Sequence, residues 1–116
     1  MTQTPALMPL TALPVTQTSV LDNAQQIATV SEILKVISNP DRLKILCVLI
    51  TAPLNVQQIE QQTGIVQPTL SQQLAVLRKH DMVSTHREGK QIYYHFKDPK
   101  ILRIMQLLDG LYCHPN

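Results

Sequence analysis

The fold of this chain is decided by residues 67–96, which read QPTLSQQLAVLRKHDMVSTHREGKQIYYHF. Leu70, Leu74 and Leu77 recur at i, i+4 and i+7, so they form one apolar stripe of a helix. After this helix, apolar and polar residues alternate with a period of two around Glu88-Gly89-Lys90, as in a β-hairpin whose tip uses the positive φ that glycine tolerates. The segment therefore predicts an amphipathic helix followed directly by a hairpin.

The faces of this helix that turn away from the apolar stripe are polar. Short amides and hydroxyls suit hydrogen bonds to base edges, and basic side chains suit phosphate contacts. A basic hairpin beside such a helix can lie along the DNA backbone or along a minor-groove edge. We therefore predict a DNA-reading helix and a wing, with these contact residues: Gln67, Thr69, Ser71, Gln72, Arg78, Arg87 and Lys90.

The charge distribution agrees with this interpretation. The formal net charge of +2 is too small to indicate nucleic-acid binding by itself. However, residues 1–66 hold three basic and four acidic side chains, whereas residues 67–100 hold six basic and three acidic ones. The positive excess thus lies on the predicted helix and wing, as an electrostatic footprint for DNA should.

Three more helices are predicted before the DNA-reading helix. A first amphipathic helix covers residues 23–37. Asn39-Pro40 is an N-cap followed by a favoured N1 proline, so a second helix begins there, and Pro53 is predicted to end it. Asn55 caps a short third helix that stops at Gly64. The few residues between the third helix and the DNA-reading helix have the spacing of a helix-turn-helix.

A last helix is predicted from the Asp98-Pro99 cap signal to about Cys113. It is apolar nearly all round, through Ile101, Leu102, Ile104, Met105, Leu107, Leu108, Leu111 and Tyr112. A helix of that kind has to be covered on every side, and a small domain has too little protein of its own to do so. A second copy of the chain is the simplest cover, so we expect a homodimer.

The length of 116 residues suits one domain with one core. Residues 1–21 carry no charged side chain and include three prolines, so we predict a disordered tail before a single domain over residues 22–116. The basic leader and unbroken apolar run of a secretory signal are absent, as are the ~20 apolar residues of a membrane span. We therefore expect a cytoplasmic protein with no membrane partner.

Three stretches in this order resemble the arsenic-repressor (ArsR/SmtB) family of small bacterial winged-helix repressors. They are residues 39–46, NPDRLKIL, residues 70–78, LSQQLAVLR, and residues 87–94, REGKQIYY. The likeness covers about residues 24–113. It implies a mainly α fold with a β-hairpin wing, a winged helix-turn-helix, and a dimer built on the first and last helices. Such a symmetric dimer is expected to bind double-stranded operator DNA that is an inverted repeat.

The two cysteines form the second predicted site. Cys47 falls in the second helix and Cys113 at the end of the last helix, 66 positions apart. In a cytoplasmic protein they are more often reactive, metal-binding or buried than joined in a permanent bridge, and Cys47 alone is typical of a buried hydrophobe. The pair resembles the subgroup of the family that senses reactive sulfur species through a dithiol. This implies release from DNA when persulfides or other oxidants link Cys47 and Cys113.

Other functions are weighed against this one. A metalloid-responsive repressor of the same family remains an alternative, although the third helix, read as VQQI at residues 56–59, lacks the expected thiols. Two thiols and a distant His fall short of a zinc site, so no metal or other cofactor is predicted. Catalytic constellations and phosphate loops are absent, so no enzyme is predicted. A winged-helix protein-interaction module without DNA binding is the rival from another class, but it would not need the local basic excess.

Overall fold

The computed structural model describes residues 23–114 of the chain. The disordered tail predicted for residues 1–21 lies outside the described residues. The chain divides into two compact units, Met1–Ile33 and Leu34–Asn116. The division falls within helix α1 (Ala24–Ile37).

The first unit carries the N-terminal part of α1. Asn23 caps this helix, because its Oδ1 accepts hydrogen bonds from the backbone N–H groups of Gln25 and Gln26, at 2.9 and 3.1 Å. The predicted start of the helix is thereby confirmed. Ile27 and Val30 are exposed on its surface, so this helix presents apolar side chains to its surroundings.

The second unit holds the helix-turn-helix, the wing and the last helix. After the end of α1 its elements are α2 (Pro40–Val48), β1 (Leu54–Asn55), α3 (Val56–Thr63), α4 (Thr69–Lys79), β2 (Val83–Glu88), β3 (Gln91–Phe96), α5 (Pro99–Leu108) and a π-helical turn (Asp109–Cys113). The predicted mainly α fold with a wing after the fourth helix is confirmed. In the part of the chain described here, the helices lack the length and hydropathy needed to cross a membrane.

Capping side chains set where the helices of the helix-turn-helix begin and end. Asn39 Oδ1 accepts two backbone N–H groups of the first turn of α2. Asn55 and Gln58 form a reciprocal capping box at α3, each side chain accepting the backbone N–H of the other residue at 2.8 to 2.9 Å. Gly64 ends α3 with φ 76°, a left-handed conformation that favours glycine. These three predicted signals are all confirmed.

The prediction that Pro53 ends α2 is wrong, because the helix already ends at Val48. The N–H of Ile50 donates to the carbonyl of Cys47, three residues back, at 3.3 Å. This tightening of the last turn stops the α-helical ladder before the proline is reached. Helix α2 is therefore short, with Cys47 in its final turn.

The wing is a hairpin that gains a third strand. β2 and β3 pair antiparallel, with Val83 opposite Phe96 and Gly89 at the tip with φ 64°. The two-residue strand β1 pairs with the other edge of β3, giving the order β1-β3-β2. Sequence periodicity did not predict β1, because two residues are too few to show alternation. The third strand ties the base of the wing to the start of α3.

The core is formed where α2 packs against α3 and α4. The predicted stripe of the DNA-reading helix, Leu70, Leu74 and Leu77, is at most 2% exposed. Ile45 and Leu46 of α2 are fully buried in the same core. The apolar face of α4 is therefore directed at α2, which leaves its polar faces for the outside.

Candidate DNA-binding surface and dithiol cleft

The predicted DNA contacts of α4 lie on its outer surface. Ser71, Gln72 and Arg78 are exposed, whereas Thr69, the first residue of the helix, is half-buried. The position of Thr69 makes it a weaker candidate for a base contact than its neighbours. Because the burial of the leucine stripe fixes the rotation of α4 about its own axis, the amide and hydroxyl groups of this face point to solvent together.

Two of the predicted contact residues, Gln67 and Ser71, bind each other. Helix α4 has no side-chain cap at Pro68, and Gln67 supplies one from the preceding position. Its Oε1 accepts the backbone N–H of Ser71 at 3.0 Å and the Ser71 hydroxyl at 2.8 Å. The side-chain oxygen of Gln67 is thus used to cap α4. Its side-chain NH₂ group is the part of the amide that can still donate a hydrogen bond to DNA. Sequence reasoning selected both residues but not their mutual bond.

The wing places basic side chains at its tip. Arg87 and Lys90 are exposed on the two sides of the turn. Below them, the ring of His86 stacks on Tyr93 with centroids 5.7 Å apart, and its Nε2 lies 2.9 Å from Glu88 Oε2. These contacts restrain the hairpin close to its tip. The two basic groups are therefore presented on a braced strand pair.

The structure brings the two cysteines to one concave surface. Cys47 is half-buried and Cys113 is exposed, and both are free thiols. They line a cleft of about 320 Å³, here named the dithiol cleft, whose lining residues are Leu43, Cys47, Met105, Leu108, Asp109, Tyr112 and Cys113. Its walls are apolar. A cleft of this kind suits small, weakly solvated reagents.

The end of the last helix differs from the prediction of one continuous α-helix to about Cys113. Residues Asp109–Cys113 form a π-helical turn, in which the N–H of His114 donates to the carbonyl of Asp109, five residues back, at 2.9 Å. The side chains of the same two residues are also paired, with His114 Nδ1 3.1 Å from Asp109 Oδ2. A π turn contains one more residue than an α turn, so it changes the direction in which Cys113 projects.

The two thiols have different environments. Burial raises the pKa of the Cys47 thiol, and the nearby Cys113 and Asp109 raise it further because negative charges beside a thiol disfavour the thiolate. The thiolate is the nucleophilic form of cysteine. Cys47 is therefore the less accessible of the two thiols and is disfavoured as a thiolate, while Cys113 is exposed to reagents.

The part of the chain that the structure describes does not form a metal centre. Among residues 23–114, His, Cys, Asp and Glu side chains do not gather in any group of three or more that could hold an ion. His86 pairs with Glu88, and His95 lies 3.5 Å from the Ser84 hydroxyl. The wing histidines thus take part in the hydrogen bonding and stacking of the hairpin.

A helix-turn-helix whose second helix exposes a polar face, followed by a hairpin wing, defines the winged-helix class of proteins. Residues 39–85 match the family model of bacterial regulatory proteins of the arsR family. The chain is 36% identical over 115 residues to the biofilm growth-associated repressor of Agrobacterium fabrum, covering 99% of this chain and 96% of that protein. The chain belongs to the ArsR family. This family consists of transcriptional regulators, so the prediction that the chain is not an enzyme is confirmed.

A relative and a solved structure extend the likeness. The biofilm growth-associated repressor of Xylella fastidiosa is 43% identical over 84 residues, covering 72% of this chain and 74% of that protein. The crystal structure of the Xylella fastidiosa transcriptional repressor BigR superposes with a TM-score of 0.75 and 38% identity, covering 84% of this chain and all of that chain. DNA binding and homodimer formation are typical of this family.

The unequal environments of the thiols predict unequal alkylation. In the native protein at neutral pH, iodoacetamide should modify Cys113 faster than Cys47, because Cys113 is exposed and the pKa of Cys47 is raised. Raising the pH should speed the alkylation of Cys47, since more of this raised-pKa thiol then becomes thiolate. Peptide mass spectrometry of samples quenched over time measures both rates.

The matched variant is Asp109→Asn, which removes a negative charge from beside Cys47 and should speed its alkylation. Protein unfolded in guanidinium chloride is the reference state, in which the two cysteines should react alike. Equal rates for the two cysteines in the native protein would contradict the assignment.

Proposed function

We propose that this protein is a dimeric transcriptional repressor that binds its operator as a dithiol and releases it when Cys47 and Cys113 become linked. The triggers are reactive sulfur species or other thiol oxidants. The observation that carries the proposal is that two cysteines 66 positions apart are both free and line one cleft. Repression is supported by the names of the similar Agrobacterium and Xylella proteins, both repressors.

DNA binding is supported by the outer face of α4 and the tip of the wing. Ser71, Gln72 and Arg78 project from α4, and Arg87 and Lys90 from the hairpin. An exposed glutamine such as Gln72 can form two hydrogen bonds with adenine in the major groove. Basic groups on the wing contact phosphates or a minor-groove edge, and they provide affinity that depends little on sequence. In this proposal α4 reads the bases, and the wing attaches to the DNA backbone.

Dimer formation is supported by the apolar side chains left uncovered at the end of the chain. Leu107, Leu111 and Tyr112 are 61, 57 and 78% exposed. Large exposed apolar side chains on one short segment mark an interaction surface. A second copy of the chain covers them in the dimer that we propose. Two recognition helices related by two-fold symmetry then enter successive major grooves about 34 to 36 Å apart, which requires an inverted-repeat operator.

The linking reaction begins at the exposed thiol. The Cys113 thiolate attacks the outer sulfur of a hydropersulfide, R–S–SH, and releases the thiolate R–S⁻, so that Cys113 carries a persulfide. The Cys47 thiolate then attacks Sγ of Cys113 and expels HS⁻, which leaves a disulfide. The donor is reduced by two electrons and the two protein sulfurs are together oxidised by two.

A second hydropersulfide molecule allows a longer sulfur bridge between Cys113 and Cys47. If another hydropersulfide first extends Cys113 to a chain of three sulfurs, attack of Cys47 on the middle sulfur expels HS⁻ and leaves a trisulfide. A direct disulfide requires the two Cα atoms to be within roughly 4.4 to 6.8 Å, and each added sulfur extends the reach by about 2 Å. With peroxide, Cys113 forms a sulfenic acid, and Cys47 displaces hydroxide to give the disulfide.

Base reading is tested at Gln67. Gln67→Glu keeps an acceptor for Ser71 but loses the amide donor, so it should leave the thermal midpoint of unfolding unchanged. The same change should lower operator affinity by on the order of 1 to 3 kcal/mol. Fluorescence anisotropy with operator and random duplexes, together with thermal unfolding, measures both effects.

Two further variants distinguish base reading by Gln67 from the capping of α4 and from contacts with the DNA backbone. Gln67→Leu removes the cap as well, so it should lower the thermal midpoint. Arg87→Ala should weaken binding to operator and random DNA alike and flatten the salt dependence. If Gln67→Glu leaves the preference for operator over random DNA intact, Gln67 does not read bases.

The dimer is tested at Leu107, whose exposure means that the protomer should tolerate a polar side chain. In the proposed dimer, Leu107→Asp would bury an unpaired charge, which costs several kcal/mol. Sedimentation equilibrium should therefore show monomers for Leu107→Asp and dimers for the control Gln106→Asp, an exposed neighbour. Dimers of wild-type affinity for Leu107→Asp would rule out this surface as the interface.

The switch is tested by removing each thiol. Cys47→Ser and Cys113→Ser should bind operator like the wild type when reduced, and both should remain bound after treatment with a hydropersulfide. The treated wild type should lose affinity roughly 5- to 150-fold, the usual range of allosteric coupling. Anisotropy measures the affinity and intact-mass spectrometry identifies the bridge. Release of either single variant to the wild-type extent would refute the dithiol mechanism.

A further inference from the structure

Arg42, near the start of α2, joins three parts of the second unit through one half-buried side chain. Its Nε donates to the carbonyl of Val36, at the end of α1, at 2.7 Å. Its Nη1 donates to Gln73 Oε1, on α4, at 2.9 Å. Because a guanidinium only donates, the oxygen of the Gln73 amide has to face it. A directional bond therefore connects α2 with the helix that carries the predicted base contacts.

The same short helix lines the dithiol cleft. Leu43 and Cys47 lie one turn apart on α2 and both face the cleft. Arg42 and Cys47 are five positions apart, which is about 7.5 Å along a helix axis. A helix of two and a half turns moves largely as a unit, since a kink between Arg42 and Cys47 would break backbone hydrogen bonds of its ladder. A displacement of Cys47 is therefore also a displacement of Arg42.

We propose that the Arg42–Gln73 hydrogen bond is the link through which bridging of the cysteines repositions α4. This inference rests on the proposed dithiol switch. In this role Arg42 is a positioning residue that contacts neither the sulfur donor nor DNA. Gln73 is next to Gln72 on α4. If a movement of Gln73 rotates α4, it also changes the direction in which Gln72 approaches a base.

The hydrogen bond is a better link than the apolar contacts between the same two helices. A lengthening of about 1 Å takes a 2.9 Å bond beyond hydrogen-bonding range. Dispersion contacts between leucine side chains lose only part of their attraction over a comparable gap, and they have no preferred direction. Sliding of α2 over α4 therefore breaks the Arg42–Gln73 bond first, unless α4 follows.

The test compares operator affinity of the dithiol and bridged forms, with the bridge verified by intact mass. The wild type should show the roughly 5- to 150-fold ratio expected of allosteric coupling. Gln73→Met and Arg42→Met, which each remove one partner, should reduce the ratio to nearly one, and the double variant should reduce it no further. Gln73→Glu, which keeps an acceptor for Arg42, should retain the wild-type ratio. Lys44→Met, the loss of an exposed positive charge from the same helix, should also retain it.

A second measurement does not depend on the variants folding or binding DNA. The side-chain amide resonances of Gln73, whose Oε1 accepts the hydrogen bond from Arg42 Nη1, are observed by NMR in the wild-type protein and should shift or broaden when the bridge forms. Wild-type coupling in Gln73→Met, or Gln73 side-chain amide signals unchanged by bridging, would overturn the link. If instead the bridged wild type binds operator as tightly as the dithiol form, the dithiol switch itself fails, and the two failures are told apart.

Discussion

Burial of the leucine stripe of α4 is the constraint on which the rest of the structure depends. Leu70, Leu74 and Leu77 are removed from solvent against the core that α2 contributes. Burying one leucine contributes about 1.5 to 3 kcal/mol, so the stripe contributes on the order of 5 to 9 kcal/mol before entropy is counted. Rotation of α4 about its axis would expose this stripe and bury amides in its place. One apolar contact thus determines both where α4 lies and which side chains it offers to a nucleic acid.

Features governed by neighbouring residues were predictable from the sequence. The caps at Asn39, Asn55 and Asp98 act within three residues, and the hairpin at Gly89 follows from local alternation. The Arg42–Gln73 bond joins residues 31 positions apart, and no periodicity indicates it. The Gln67–Ser71 bond is local, but an amide that precedes a helix and caps it from outside is not among the usual cap signals. Sequence reasoning therefore gave the five helices and the hairpin. It missed the strand β1, the end of α2 and the side-chain bonds that join or begin the helices.

The sequence predicted that the two cysteines act together, but it did not predict the local geometry around them. The second and last helices were expected to approach each other, and Cys47 and Cys113 do line one cleft. The π turn at Asp109–Cys113 was not predictable, because the same residues also suit a continued α-helix. Asp109, the first residue of that turn, lines the cleft, and its charge helps to raise the pKa of Cys47. The unequal exposure of the two thiols is thus a property of the fold, and it is the reason why the proposed reaction begins at Cys113.

Helix α2 takes part in both proposed activities, DNA binding and the linking of the cysteines. The free energies of allosteric coupling and of core packing determine how the switch can act. One side of α2 provides Cys47 to the cleft, while Ile45 and Leu46 are buried in the core that supports α4. Allosteric coupling is typically 1 to 3 kcal/mol, well below the contribution of the leucine stripe. Bridging the cysteines therefore cannot detach α4 from the core. It can change the tilt of α4 and the separation of two recognition helices in a dimer, and a shift of a few ångströms suffices to lose paired hydrogen bonds in two successive grooves.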